Sequence, residues 1–365
     1  MAQAATATPA EDRAMLRALE IAATGGVPLG PNPRVGCVLL ADDGTEVAEG
    51  FHRGAGTPHA EAAALAQAGD AARGATAVVT LEPCNHTGRT GPCAEALIRA
   101  GVRRVVFAQT DPNPVARGGA GTLLAAGIEV VDGLREAESR ALNRAWTFAL
   151  EYGRPYVTWK FATSLDGRSA AADGTSRWVS SIPSRQDTHR LRGECDVMLV
   201  GTNTVEVDDP ELTVRDAVDE PAAHQPLRVV MGARDLDPGR RIFNDRAETL
   251  HLRTRDPHQA LAELHGLGRR HVFLEGGPTL AAAFLQAGLV DEVVTYVAPL
   301  LLGAGRSAVG DLGIDTITDA LHLAVSDVTV LGTGAETNVR LTMTPATPVV
   351  DQPWAREQPR PDKEQ

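Results

Sequence analysis

Residues 81–93, LEPCNHTGRTGPC, hold two of the chain's four cysteines together with a histidine and an arginine. Just upstream, residues 75–83 (ATAVVTLEP) form an apolar, β-branched run of strand length that Pro83 brings to a turn. Residues 91–101 (GPCAEALIRAG) resume with helical spacing, so Cys84 and Cys93 flank a strand-to-helix loop beside a helix N-terminus, where thiolate is favoured. Further back, PHAE at 58–61 opens the helical segment HAEAAALAQAG, and His59 and Glu61 project from its first turn. One histidine and two thiolates leave the fourth tetrahedral position open, the arrangement of a catalytic rather than a structural zinc. Such a zinc brings water toward deprotonation near neutral pH, and a carboxylate two residues from a ligand can move the proton. Recruiting His86 would close the site into a zinc knuckle; its place in a long loop points it instead at substrate. Alone, Glu61 would read as a first-turn carboxylate that complements the helix dipole.

The rest of the chain bounds this reading. With 365 residues it is expected to fold as about two domains. No apolar run approaches the ~20 residues of a membrane span, and the first residues lack a basic segment followed by an apolar one, so neither a membrane nor a secretory route is expected. A reducing, cytoplasmic compartment follows, in which a close cysteine pair serves metal or catalysis rather than a disulfide. A formal net charge of −12 argues against nucleic-acid backbone as a partner and leaves room for a local basic pocket for one phosphorylated ligand.

Strands and short helices alternate throughout, which indicates layered α/β domains. Residues 1–10 and 345–365 are expected as mobile tails. A first domain spans 11–152: a helix with Met15, Leu16, Leu19 and Ile21 as its stripe, a hairpin at 34–50, alternating strands and helices, and a closing helix over 135–150. A second spans 153–344, with strands at YVTWKFATSLDG, CDVMLVG, LRVVMG, ETLHLRT, RHVFLEGG and VDEVVTYVAP. Lysine occurs only at Lys160 and Lys363 in a chain that otherwise uses arginine, so Lys160 on its strand suggests a task for a compact ammonium. Its bland alternative is a snorkelling lysine on an edge strand. LVGTNTV and LEGGPTLAAAF each run strand, glycine turn, helix, a junction suited to phosphate.

H-x-E followed by P-C and a second cysteine is the pattern of zinc deaminases, here with eight residues between the cysteines instead of two. GPNPRVGCVL, PHAEAAAL, TLEPCNHTGRTGPC and DPNP resemble the deaminase half of the bifunctional riboflavin-biosynthesis deaminase/reductases, with Asn85 and Gly91 departing from the usual Ser and Pro. The resemblance implies a cytidine-deaminase-like three-layer αβα domain in which His59, Cys84 and Cys93 bind Zn2+ and Glu61 shuttles the proton. Asn32, His52 and His86 are then the candidates for holding the pyrimidine.

KFATSLDGR, SRWVSS, LRGECDVMLVGTNTVEVDDPELTVR and FLEGGPTLAAAFLQAGLVDEVVTYVAPLLLG resemble the reductase half of the same family, whose domain is similar to dihydrofolate reductase and whose cofactor is NADPH. By position, Ala162, Trp178, Thr204, Asp208 and Gly277 would contact the cofactor. Ser176, Arg192, Leu212, Arg215 and Glu275, with Lys160, would contact the ribosylamino-pyrimidine and its phosphate, a role that suits arginine's paired donors. Ala233 stands where the family often has a cofactor-contacting serine. The resemblance implies hydrolytic deamination of 2,5-diamino-6-(5-phosphoribosylamino)pyrimidin-4(3H)-one followed by reduction of its ribosyl group, and a homo-oligomer. The alternatives are a nucleoside or tRNA deaminase fused to an unrelated domain, and a zinc-stabilised binding or regulatory protein that has lost one or both activities.

Overall fold

The structure is a computed structural model that describes residues 6–25, 30–86, 91–216 and 219–346. The chain divides between Gly153 and Arg154 into two compact units, each built on its own sheet.

In the first unit, α1 (Pro9–Ala22) begins inside the stretch expected as a tail, because Thr8 caps it. The Glu11 amide donates to the Thr8 hydroxyl and the Thr8 amide donates to the Glu11 carboxylate, which satisfies two otherwise orphaned donors. Its buried stripe is Ala14, Met15, Ala18 and Ile21, whereas Leu16 is 45% exposed, so the expected stripe is corrected at that position. The hairpin β1 (Gly36–Leu40) and β2 (Glu46–Phe51) leads to α2 (Ala60–Ala68), β3 (Thr76–Leu81), α3 (Cys93–Ala100), β4 (Arg104–Gln109), α4 (Gly119–Ala125) and β5 (Glu129–Val131). The sheet order is β2-β1-β3-β4-β5, with β3, β4 and β5 parallel and β1 antiparallel to both neighbours.

On one face Met15 and Ala18 pack with Val38, Val78 and Val106. On the other, Ala64, Leu97 and Leu123 pack with Leu39, Val79 and Phe107, which completes three layers. Gly36 permits the α1 contact: a Cβ there would lie 2.0 Å from the Ala18 carbonyl oxygen. The single helix expected over 135–150 is two, α5 (Glu136–Leu142) and α6 (Arg144–Tyr152). Asn143 between them turns its side chain to the Arg34 backbone, accepting its amide at 2.8 Å and donating to its carbonyl at 2.9 Å. That long-range pairing anchors the chain just before β1, and it competes with helix continuation.

The second unit runs β6 (Tyr156–Ser164), α7 (Ile182–Arg192), β7 (Val197–Gly201), α8 (Thr202–Asp208), β8 (Leu227–Met231), β9 (Thr249–Leu252), α9 (Pro257–Gly266), β10 (His271–Leu274), α10 (Pro278–Gln286), β11 (Glu292–Ala298), β12 (Leu323–Leu331) and β13 (Asn338–Pro345). These strands form one sheet of order β12-β13-β11-β6-β10-β7-β8-β9. It is parallel from β11 to β9, with β13 and β12 antiparallel at one edge. Trp159, Leu199 and Val272 pack with Leu261 and Phe284 of α9 and α10 on one face. Met198, Val230 and Phe273 pack with Leu191 and Val205 on the other. Strands β12 and β13 were not singled out in the sequence, since β12 is mostly exposed and carries no continuous apolar run. Lys160 lies on β6 in the middle of the sheet, not on an edge.

Candidate active sites

Two chain reversals bring together a group that could ligate a metal ion. His59 ends the loop before α2 as its N-cap residue, in extended conformation and without a side-chain cap bond, so its ring is available elsewhere. Cys84 follows β3, and Cys93 opens α3. His59 Nδ1 lies 3.6 Å from Cys84 Sγ and 3.3 Å from Cys93 Sγ, and the ligating atoms of all three residues fall within 4.8 Å of one another. Zinc bonds of ordinary length at tetrahedral angles would separate nitrogen from sulfur by about 3.6 Å, so the donor set and its spacing fit zinc. The Cys93 amide donates to Cys84 Sγ at 3.4 Å. With the Cys93 thiol and His59 also donating, the Cys84 thiol falls to about 4, while Cys93 beside that thiolate is pushed up. Glu61 is buried at 3% exposure, and burial raises its carboxyl to about 7.

A cavity of about 560 Å³ lies over this group, and Asn32, His52, His59, Glu61, Cys84 and His86 all line it. His52 Nδ1 is 3.0 Å from the Pro58 carbonyl oxygen and its Nε2 is 3.0 Å from Asn32 Nδ2. Burial lowers the His52 pKa and keeps the ring neutral. A carbonyl can only accept, so Nδ1 carries the proton and Nε2 accepts from the Asn32 amide. The Asn32 carbonyl oxygen is thereby turned away from His52 as an acceptor. His86 Nδ1 is buried without a hydrogen-bond partner among the described residues. The remainder of its loop, residues 87–90, expected to line the pocket, lies outside the described residues.

Sequence reasoning passed over Asp111 and Glu82. The buried Glu82 carboxylate accepts the amides of Asp111, Gly118 and Ala120 at 3.2, 3.0 and 3.1 Å. This holds the DPNP loop, whose Asp111 and Asn113 face the cavity. Burial first, then the nearby Glu82 and Cys84, raises the Asp111 carboxyl to about 6. The available signal was the carboxylate immediately before Pro83, at the end of a buried strand.

In the second unit three of the candidates meet. Arg192, at the end of α7, places Nε and Nη2 on the two Glu275 oxygens at 2.6 and 2.9 Å. Lys160 Nζ stands 4.0 Å from Glu275. Burial acts to raise the Glu275 carboxyl, but Arg192 and Lys160 outweigh it and bring it down to about 2. Burial and the Arg192 charge lower Lys160. Arg215 is tied instead to Glu211 at 2.5 Å, and its amide donates to His189 Nδ1 at 3.2 Å. Leu212 is buried, with φ of 53°.

Ser176 and Trp178 sit exposed on the loop after β6, with the Arg185 guanidinium 4.3 Å over the Trp178 ring. Arg177 donates to the carbonyl of Asp208, the last residue of α8, at 2.8 Å. Thr204 lies on that helix and Ala162 on β6. Gly277 is the N-cap of α10, and no side chain bonds to that cap; Pro278 has no N–H and the Leu280 amide donates to the Gly277 carbonyl at 3.1 Å, so among the described residues the Thr279 amide is the first-turn donor left for a phosphate. That open amide suits a phosphate group of a cofactor.

Comparison with known proteins agrees with both halves. Residues 9–109 match the cytidine and deoxycytidylate deaminase zinc-binding region, and residues 155–336 match the RibD C-terminal domain. The riboflavin biosynthesis protein RibD of Mycobacterium tuberculosis (strain H37Rv) is 50% identical over 303 residues, covering 83% of this chain and 89% of that protein. The Escherichia coli K12 protein of the same name is 41% identical, covering 87% and 96%. A solved structure of Acinetobacter baumannii RibD superposes with a TM-score of 0.84 at 38% identity, covering 93% of this chain and 99% of that one. The diaminohydroxyphosphoribosylaminopyrimidine deaminase/5-amino-6-(5-phosphoribosylamino)uracil reductase of Thermotoga maritima gives 0.83 at 30% identity, covering 92% and 99%. The chain belongs to the RibD family of bifunctional riboflavin-biosynthesis enzymes, which join a zinc-dependent deaminase to a reductase.

Proposed function

We propose that the first unit hydrolytically deaminates 2,5-diamino-6-(5-phosphoribosylamino)pyrimidin-4(3H)-one and that the second reduces the ribosyl group of the product with NADPH, giving 5-amino-6-(5-phosphoribitylamino)uracil. One observation carries the first half: His59, Cys84 and Cys93 converge within 4.8 Å beside a buried Glu61, in the wall of a cavity roomy enough for a pyrimidine. In this reading those three residues hold Zn2+, which supplies a Lewis acid that eases deprotonation of a water. Glu61 takes that proton on its carboxylate and returns it to the departing amine, so water enters and ammonia leaves. A carboxyl raised to about 7 both accepts and donates near neutrality. Asn32, oriented by His52, offers its carbonyl to a ring N–H or amine, and His86 Nδ1, which has no partner among the described residues, faces the same ligand.

In the second unit the cofactor, when bound, would supply the hydride that reduces the sugar carbon bonded to the amine nitrogen, with a proton going to the opened ring oxygen. Lys160 and Glu275 meet the ribosyl group, with Arg192 holding the Glu275 carboxylate in place. Ser176 and Leu212 complete that wall, and Arg215 approaches the phosphate. Ala162, Trp178, Thr204, Asp208 and Gly277 contact the cofactor. A homo-oligomer in the cytoplasm completes the reading; the four cysteines are buried and form no disulfide among the described residues. Neither nucleic acid nor a membrane is a partner in this reading; no helix among the described residues is long and apolar enough to cross a membrane.

The test follows ammonia release and NADPH oxidation together, before and after zinc is stripped. Ammonia release preceding NADPH oxidation is expected, with both lost on stripping and oxidation restored by deaminated substrate. NADPH oxidation without ammonia would refute the deaminase assignment.

A further inference from the structure

Lys160 occupies an unusual position for the chain's one lysine outside the C-terminal segment. Its Nζ makes no hydrogen bond among the described residues, because the nearest carboxylate, Glu275, is 4.0 Å away and is already engaged by both Arg192 nitrogens. What it does meet is the face of Tyr296, whose ring centroid is 5.6 Å from Nζ. The register explains the contact. On β11, Val294 pairs with Lys160 and Tyr296 with Ala162, so Lys160 and Tyr296 project from the same face of adjacent strands. Ala162, directly opposite, carries only a Cβ, and the space is open to the ring.

Tyr296 is fully buried, and its ring is pinned from the far side. Its hydroxyl donates to Asp187 Oδ2 of α7 at 2.8 Å. The Asp187 carboxylate also receives Arg340 of β13 at 2.9 and 3.1 Å and Arg190 at 3.0 Å. Burial, with the Asp187 charge, pushes the phenol well above its ordinary range, so Tyr296 stays neutral.

We propose that Tyr296 is the positioning residue of the reductase: its ring, anchored through Asp187 and Arg340, holds the Lys160 ammonium where the ribosyl group is met. The inference rests on the reading that Lys160 contacts that group. A cation resting on an aromatic face needs no hydrogen-bond acceptor that would compete with substrate. The donors of Nζ are thus left for the ligand while its place is fixed.

With two lysines in the chain, competitive acetylation by acetic anhydride, read by mass spectrometry as the Lys160-to-Lys363 ratio, reports on Lys160 alone. The full-length, zinc-loaded protein is used, and reduction is measured with 5-amino-6-(5-phosphoribosylamino)uracil and NADPH. In Tyr296→Leu, loss of the ring favours the neutral amine and opens access, so the ratio rises by about fivefold; kcat falls about tenfold and the NADPH KM is unchanged. Tyr296→Phe keeps the face and loses the anchor, and falls between. An unchanged acetylation ratio in Tyr296→Leu overturns the proposal, even if kcat and thermal stability fall together. Should that variant fail to fold, Tyr296→Phe and Asp187→Asn decide on the same ratio, and no change in either sinks it. Lys160→Met separates the two levels. If it reduces substrate at the wild-type rate, the Lys160 reading fails; if reduction is lost while the Tyr296 variants leave the ratio unmoved, only the Tyr296 assignment fails.

Discussion

Glu61→Gln removes a proton acceptor and leaves the volume of the site unchanged, so it separates chemistry from architecture. Loss of a positioned general base costs about 10²- to 10⁴-fold in rate, and ammonia release should fall by that factor with one zinc per chain retained. The same variant has a stability signature. Burial raises the Glu61 carboxyl from 4.5 to about 7, which corresponds to roughly 3 kcal/mol of differential stability in the metal-free protein. The sign follows from proton binding: between pH 4.5 and 7 the folded state holds the proton more tightly than the unfolded chain does. Wild-type stability therefore declines relative to the neutral Gln variant as pH rises through this window, and the difference is flat above it. Denaturant unfolding of zinc-stripped wild type and Glu61→Gln at pH 4.5, 6 and 8, followed by a first-unit probe, reads this directly. Reduction of pre-deaminated substrate should be untouched. Ammonia release within a few-fold of wild type, or a stability difference independent of pH, would refute the reasoning.

Three further outcomes follow from other parts of the structure. Glu82→Ala strands three backbone amides that now donate to a buried carboxylate; at about 1 to 3 kcal/mol per unsatisfied donor, the first unit should lose several kcal/mol, seen as a lowered unfolding midpoint. Glu275→Gln leaves Arg192 and Lys160 as neighbouring buried cations; the second unit should be destabilised by about 3–5 kcal/mol and reduction lost, while ammonia release continues. His52→Leu frees the Asn32 amide to turn, so the deaminase KM should rise about tenfold with zinc content unchanged, as steady-state kinetics and metal analysis would show.

Much of the first site was legible because its residues lie in two short segments whose local structure is dictated locally. Pro83 ends a buried strand, Cys93 starts a helix, and His59 caps another, and the motif residue types leave few chemical alternatives. The second site was legible from the residues themselves only at Lys160 and the two strand-glycine-helix junctions; the rest came from the resemblance. Its residues come from β6, α7, the end of β10 and the loops around them, and no spacing along the chain links Lys160, Arg192 and Glu275. The break of the closing helix at Asn143 was hidden for the same reason: the partner that competes with helix continuation, the Arg34 backbone, lies more than a hundred residues away.

The sequence by itself determined the α/β layering and picked out the candidate metal-ligating trio and the adjacent carboxylate, since periodicity, turn residues and donor chemistry are properties of contiguous residues. Only the tertiary structure decided which side chains share a microenvironment. It set Glu82 under the Asp111 loop, turned Asn32 through His52, gave both Glu275 oxygens to Arg192, and laid Lys160 on Tyr296. These are contacts between distant segments, and burial there fixes charge, tautomer and orientation in ways that no local pattern encodes.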